Sequence, residues 1–112
     1  MNAKGKLEII CRRTADSYRR VYGDKIRAIF LYGSYARGDF NEESDIDFAA
    51  IVEGEREDLQ QKCRLELKDT LAMDLEYDTV ISPNVIPADE FARYEEKLPY
   101  YRNIKTEGKL LD

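Results

Sequence analysis

The sequence predicts an α+β fold in which helices cover one face of a small mixed β-sheet, in the order α-β-β-α-β-α. Three observations carry this. The chain has 112 residues, enough for one domain with one modest core. No internal repeat, low-complexity tract or Pro/Gly-rich linker divides it, so residues 1–112 are expected to form a single domain. Apolar residues recur at helical spacing in two long segments, and short β-branched runs lie between and after them.

A helix is expected over residues 5–22, where Leu7, Ile10, Thr14, Tyr18, Val21 and Tyr22 follow three- and four-residue steps. Gly23 stands where a C-terminal cap belongs. Ile26 to Tyr32 is short, apolar and β-branched, as a buried strand is. Gly33-Ser34 breaks it, residues 34–38 suit one helical turn closed by Gly38, and residues 39–44 read as a polar loop. A second strand is expected from Asp45 to Val52, where Ile46, Phe48 and Ala50 alternate with Asp45, Asp47 and Ala49. Residues 56–74 should form the second long helix, with Leu59, Cys63, Leu67 and Leu71 on its core side. A third strand is expected over 76–86, broken at Ser82-Pro83-Asn84. A last helix should start at Pro87 and run to about Lys97, before Pro99 interrupts it.

Composition narrows the function. Hydrophobic residues make up 43% and charged residues 37%, the balance of a globular domain with a charged surface. The net charge is −5. A chain that grips a polynucleotide by its phosphates needs surplus Lys and Arg, so nucleic acid is not the expected partner. The absence of His removes Ser-His and Cys-His catalysis. Cys11 and Cys63 are too few for a zinc ligand set and are expected as reduced thiols in or near the core. The N-terminus leads into a charged helix, and no apolar run has membrane-spanning length, so a cytoplasmic location is expected.

The chemistry-bearing segment runs from Ile29 to Phe48. In a strand, residues two apart face the same side, so Asp45 and Asp47 present paired carboxylates with Cα atoms roughly 6–7 Å apart. Like charges held together repel, and a hard divalent cation resolves the conflict. Gly33 permits close backbone approach to a ligand, and the amides after it open a turn suited to an anion. Ser34 adds a hydroxyl, and Arg37 adds a cation three residues on. Phosphate donors would then sit beside metal ligands on neighbouring strands.

This segment resembles the signature of the DNA polymerase β-like nucleotidyltransferase superfamily: Gly33-Ser34, the ten residues Tyr35 to Ser44, then Asp45-Ile46-Asp47. In size the chain resembles the minimal nucleotidyltransferases found as antitoxin partners of HEPN-domain toxins. The resemblance implies a polymerase β palm-like fold. It also implies ATP as donor and two Mg²⁺ ions on Asp45, Asp47 and a third carboxylate on a later strand. Asp78 is the candidate for that third ligand and for the base, with Glu76 as the alternative. Gly33, Ser34, Arg37 and Ser44 would bind the nucleotide. The implied reaction moves AMP to a hydroxyl, with a tyrosine of a HEPN toxin as the acceptor. Two other readings compete. One keeps the chemistry with a small-molecule acceptor such as an aminoglycoside, helped by a homo-oligomer. The other is a binding module that inhibits a partner by contact alone. The C-terminal aromatics Phe91, Tyr94, Leu98, Tyr101 and Ile104 are spaced to pack on the sheet as a helix, or else to form a partner surface.

Overall fold

The computed structural model describes residues 2–41 and 43–111. Helix α1 (Ala3–Tyr22) begins two residues earlier than its apolar pattern, because Asn2 Oδ1 accepts the Gly5 N–H at 2.7 Å and caps it. Gly23 ends it at φ 62°, as expected. A 3₁₀ turn leads into β1 (Ile26–Tyr32), the one-turn helix α2 (Ser34–Arg37), and then β2 (Ile46–Val52). Gly38, at φ 86° and ψ 6°, closes α2 in the left-handed region.

Helix α3 (Arg56–Tyr77) runs three residues beyond the expected boundary and takes in Glu76, which the sequence pattern assigns to a strand. The cause is tertiary. Arg13 of α1 donates to Glu76 Oε2 at 2.6 Å and to the Tyr77 hydroxyl at 3.2 Å, and its guanidinium lies 5.7 Å from the Tyr77 ring centre. Asp78 then caps the helix in the left-handed region, at φ 53°. Asp74 Oδ1 accepts the Ile81 N–H at 2.8 Å and so fixes the turn into β3 (Ile81–Pro87).

Strand β3 is not broken at Pro83. It pairs in parallel with β2 from Ile46↔Ile81 to Val52↔Pro87. The order β3-β2-β1-β4 makes β3 an edge strand, where a residue without an N–H is tolerated. Helices α4 (Ala88–Tyr94) and α5 (Pro99–Glu107) follow, and Pro99 opens α5 at its first turn rather than merely ending α4. The short β4 (Lys109–Leu110) pairs antiparallel with β1, as does β2 on the other side.

The α+β class and the small mixed sheet stand, and the single helical face needs correction. Ile10, Tyr18, Leu59 and Met73 of α1 and α3 pack on one face, against Ile29, Leu31, Ile46, Phe48 and Ala50. Phe91, Tyr101 and Ile104 of α4 and α5 pack on the other, against Ala49, Ile51 and Ile86. Of the C-terminal residues spaced for packing, Tyr94 is half-buried and Leu98 is exposed. Both cysteines are free and half-buried against the first cluster.

The core side of α3 also departs from expectation. Leu59 is buried, but Leu67 and Leu71 are 42% and 59% exposed, while Glu66, Thr70 and Met73 are buried. A four-residue step overshoots a helical turn by roughly 40°. Over the twelve residues from Leu59 to Leu71 the row therefore swings about 120° away from the sheet. Met73→Ala is accordingly expected to lower the unfolding free energy by about 3 kcal/mol, and Leu71→Ala by less than about 0.5 kcal/mol. Urea titration of the two variants checks this. Equal losses would mean that the Leu71 face is covered.

Candidate active site

The site lies at one end of the central strand pair, where β1 runs out at Tyr32 and β2 begins. Tyr32 and Asp47 are direct partners across that pair. The next residue, Gly33, has φ 72° and ψ −156°, a conformation that side-chain-bearing residues rarely adopt. It also lies against the carboxylate. A Cβ built on Gly33 would stand 2.5 Å from Asp47 Oδ2. The structure thus brings the Gly33 turn and the Asp47 carboxylate together.

Asp47 is half-buried on the sheet face shared with Ala49 and Ile51. Burial is the largest cause that raises its pKa. The neighbouring Asp45 raises it further, and Arg37 opposes both. Asp45 is exposed just before β2. The two carboxylates therefore feel each other, and the Arg37 guanidinium reaches the same field. Arg37 is itself exposed and loosely held, 3.3 Å from Asp39 Oδ2 and 3.5 Å from Glu107 Oε2. Ser34 opens α2, next to Gly33. A half-buried carboxylate beside a second one, facing a turn with no side chain in the way, fits a divalent ion and an anionic ligand.

Three predicted residues are placed otherwise. Asp78 is not on a strand beside Asp45 and Asp47; it is the exposed C-cap of α3. It borders a cleft of about 820 Å³ together with Lys6, Ile10, Tyr35, Ser44 and Ile46, a cleft lined by neither Asp45 nor Asp47. Ile10 and Ile46 belong to the α1/α3 side of the sheet, opposite the face of Asp47. Ser44 is tied into the loop, where its Oγ accepts the Asn41 N–H at 3.0 Å. Glu76, the alternative third carboxylate, is on α3 and paired with Arg13. Among the described residues, no three His, Cys, Asp or Glu side chains form a cluster able to hold a metal ion.

A family model described as polymerase beta, nucleotidyltransferase, matches residues 17–111. The chain belongs to this nucleotidyltransferase family. It is 32% identical over 90 residues to “Putative protein adenylyltransferase MJ0604” of Methanocaldococcus jannaschii, covering 80% of this chain and 82% of that protein. It is 43% identical over 60 residues to “Putative protein adenylyltransferase MJ0141” of the same organism, covering 54% of this chain and 59% of that protein. Among solved structures, a toxin-antitoxin with AMP-PNP superposes with a TM-score of 0.56 at 18% identity, covering 88% of this chain and 70% of the other. A mutant of the toxin-antitoxin MntA-HpeT gives 0.55 at 17% identity, covering 100% and 73%. At that identity the likeness is one of fold, and it agrees with the palm-like architecture.

Around the carboxylates of this nucleotidyltransferase stand groups that the sequence pattern did not single out. Asn84 Nδ2 donates to the Tyr32 hydroxyl at 3.0 Å, and the Tyr32 and Tyr100 hydroxyls share a hydrogen bond at 2.7 Å. Burial, Tyr100 and Asp47 all hold the Tyr32 phenol protonated. Ser82 is the β3 partner of Asp47. The signal for Ser82 and Asn84 was their period of two, which an unbroken third strand would have exposed. Tyr100 comes from a helix that the sequence left unassigned. Among the described residues, no helix is long and apolar enough to cross a membrane.

Proposed function

We propose that this nucleotidyltransferase moves AMP from ATP to a hydroxyl group, in a Mg²⁺-dependent reaction, and that the acceptor is a tyrosine of a HEPN-type toxin which the transfer neutralises in the cytoplasm. The observation that carries the proposal is the contact between the Gly33 turn and the Asp47 carboxylate, with Asp45 beside it. The relatives named as protein adenylyltransferases support a protein acceptor. The toxin-antitoxin setting of the similar folds supports a toxin partner.

Asp45 and Asp47 would hold the ion, which supplies charge neutralisation for the triphosphate. The bare backbone at Gly33 lets phosphate oxygens approach, with Ser34 as donor and Arg37 as a mobile cation. The acceptor oxygen forms its bond to the α-phosphorus while the bond to pyrophosphate breaks, and the hydroxyl proton leaves to water. Positioning and charge carry the rate, so a small domain suffices for this half of the reaction.

Co-expression with the protein encoded next door, followed by intact-mass measurement, tests the proposal. The expected result is a partner heavier by whole AMP units, with the mass gain lost in the Asp45→Asn/Asp47→Asn double variant. A partner left unmodified despite ATP and Mg²⁺, yet still inhibited by the double variant, would make contact alone the function.

A further inference from the structure

The family's third carboxylate belongs on a strand beside the first two. In this chain the strand beside β2 is β3, and the residue directly across from Asp47 is Ser82. Direct partners on paired strands present side chains to the same face, roughly 4.7–4.9 Å apart. Ser82 therefore occupies the position from which a carboxylate would share an ion with Asp47. A neutral hydroxyl is a weak ligand for Mg²⁺ and cannot offset a second dication.

No described acidic neighbour substitutes for it. Asp78 caps α3 and faces the cleft on the other side of the sheet. Asp74 lies within the field of Asp45, but its Oδ1 accepts the Ile81 N–H at 2.8 Å and faces the Thr79 hydroxyl at 3.5 Å. Its position at the α3–β3 turn is thereby fixed. Glu76 is held by Arg13. Asn84, two residues along β3 from Ser82, is neutral and bonded to Tyr32.

We infer that this chain, loaded with nucleotide, holds one divalent ion on Asp45 and Asp47, and that Ser82 stands where the ligand for a second ion is missing. The inference rests on the nucleotidyltransferase reading of the Asp45/Asp47 site and departs from the two ions that the family resemblance implies. Its chemical consequence is that the acceptor hydroxyl arrives at a site where this chain provides a single ion for the triphosphate and none dedicated to the attacking oxygen.

Counting bound Mn²⁺ tests this directly. Free Mn²⁺ is followed by its electron paramagnetic resonance signal during titration of the full chain saturated with α,β-methylene-ATP. A protein-free nucleotide sample serves as the blank. The expected result is one ion per chain for the native protein and two for Ser82→Asp, with the fold of the variant checked by circular dichroism. Two ions of similar affinity on the native protein would overturn the inference and leave the nucleotidyltransferase reading standing. A folded Ser82→Asp protein that still takes one ion would also overturn it. No Mn²⁺ and no nucleotide on the native protein would instead sink the functional reading on which it rests. If Ser82→Asp does not fold, the native count decides alone.

Discussion

Asp47→Asn is expected to lower nucleotidyl transfer by about 10³-fold, or about 4 kcal/mol of transition-state stabilisation, without lowering the melting temperature. The two halves of this prediction have different origins. Activity is expected to fall because an ion held by Asp45 and Asp47 would lose an anionic ligand at the place where charge builds up. Stability holds because the native fold disfavours the charge at this position. Burial is the first cause that pushes the Asp47 pKa up, and the nearby Asp45 is the second. A neutral amide of the same shape removes both penalties and keeps the contact with Gly33. Thermal melts and transfer rates on the same preparation check this. A variant that loses stability along with activity would show that Asp47 holds the turn together rather than a ligand.

Glu66→Gln is expected to flatten the pH dependence of stability between about pH 4.5 and pH 7 and to stabilise the protein at pH 8 by about 3 kcal/mol. Glu66 is fully buried between α3 and α1. The Ser17 hydroxyl lies 2.7 Å from Glu66 Oε2 and also contacts Asp69 Oδ2. One hydroxyl hydrogen cannot serve two carboxylates. The arrangement is satisfied if Glu66 is protonated and donates to Ser17, which donates to Asp69, itself paired with Arg20. The net shift favours the protonated form: burial, the largest cause, raises the Glu66 pKa from 4.5 to about 7, the hydrogen bond with Ser17 and the charge of Arg20 oppose it, and the Asp69 carboxylate adds to it. The Ser17 hydrogen bond lowers that of Asp69. Tyr18 and Tyr22 of α1 and Cys63 of α3 also face this pocket.

The sign follows from proton binding. Native Glu66 keeps its proton up to about pH 7, while the unfolded chain releases it near 4.5. Between those values the native state holds the extra proton, so stability falls as pH rises, and this contribution is gone above about pH 7. A glutamine amide donates to Ser17 at every pH. Urea unfolding from pH 4.5 to 8 on both proteins measures the difference, and parallel curves would refute the protonated chain.

Much of this molecule is written locally in its sequence. Gly23, Gly33 and Gly38 mark turns that only a residue without a side chain adopts easily, and the alternation from Asp45 to Val52 assigns both faces of β2. The Gly33-Ser34 and Asp45-Ile46-Asp47 pair was legible because spacing alone puts one on a strand end and the other on its neighbour. What was not legible depended on distant partners. Glu76 and Tyr77 are helical because Arg13 holds them, and Arg13 is more than sixty residues away. The inward turn of Glu66 rests on Ser17, which no periodicity reveals. Asp78 looked like the start of a strand because Thr79, Val80 and Ile81 are β-formers, but its left-handed backbone ends a helix.

The chain has eight tyrosines and no tryptophan. Phenol emission is therefore not drained into an indole. The Tyr32–Tyr100 pair, with rings 5.8 Å apart and edge to face, has one member directly across the strand pair from Asp47. Charge arriving at that carboxylate would alter the hydroxyl contact between the two rings. The pair is thus expected to report optically on the neighbouring carboxylates, and a Tyr100→Phe variant would show how much of the signal comes from that contact.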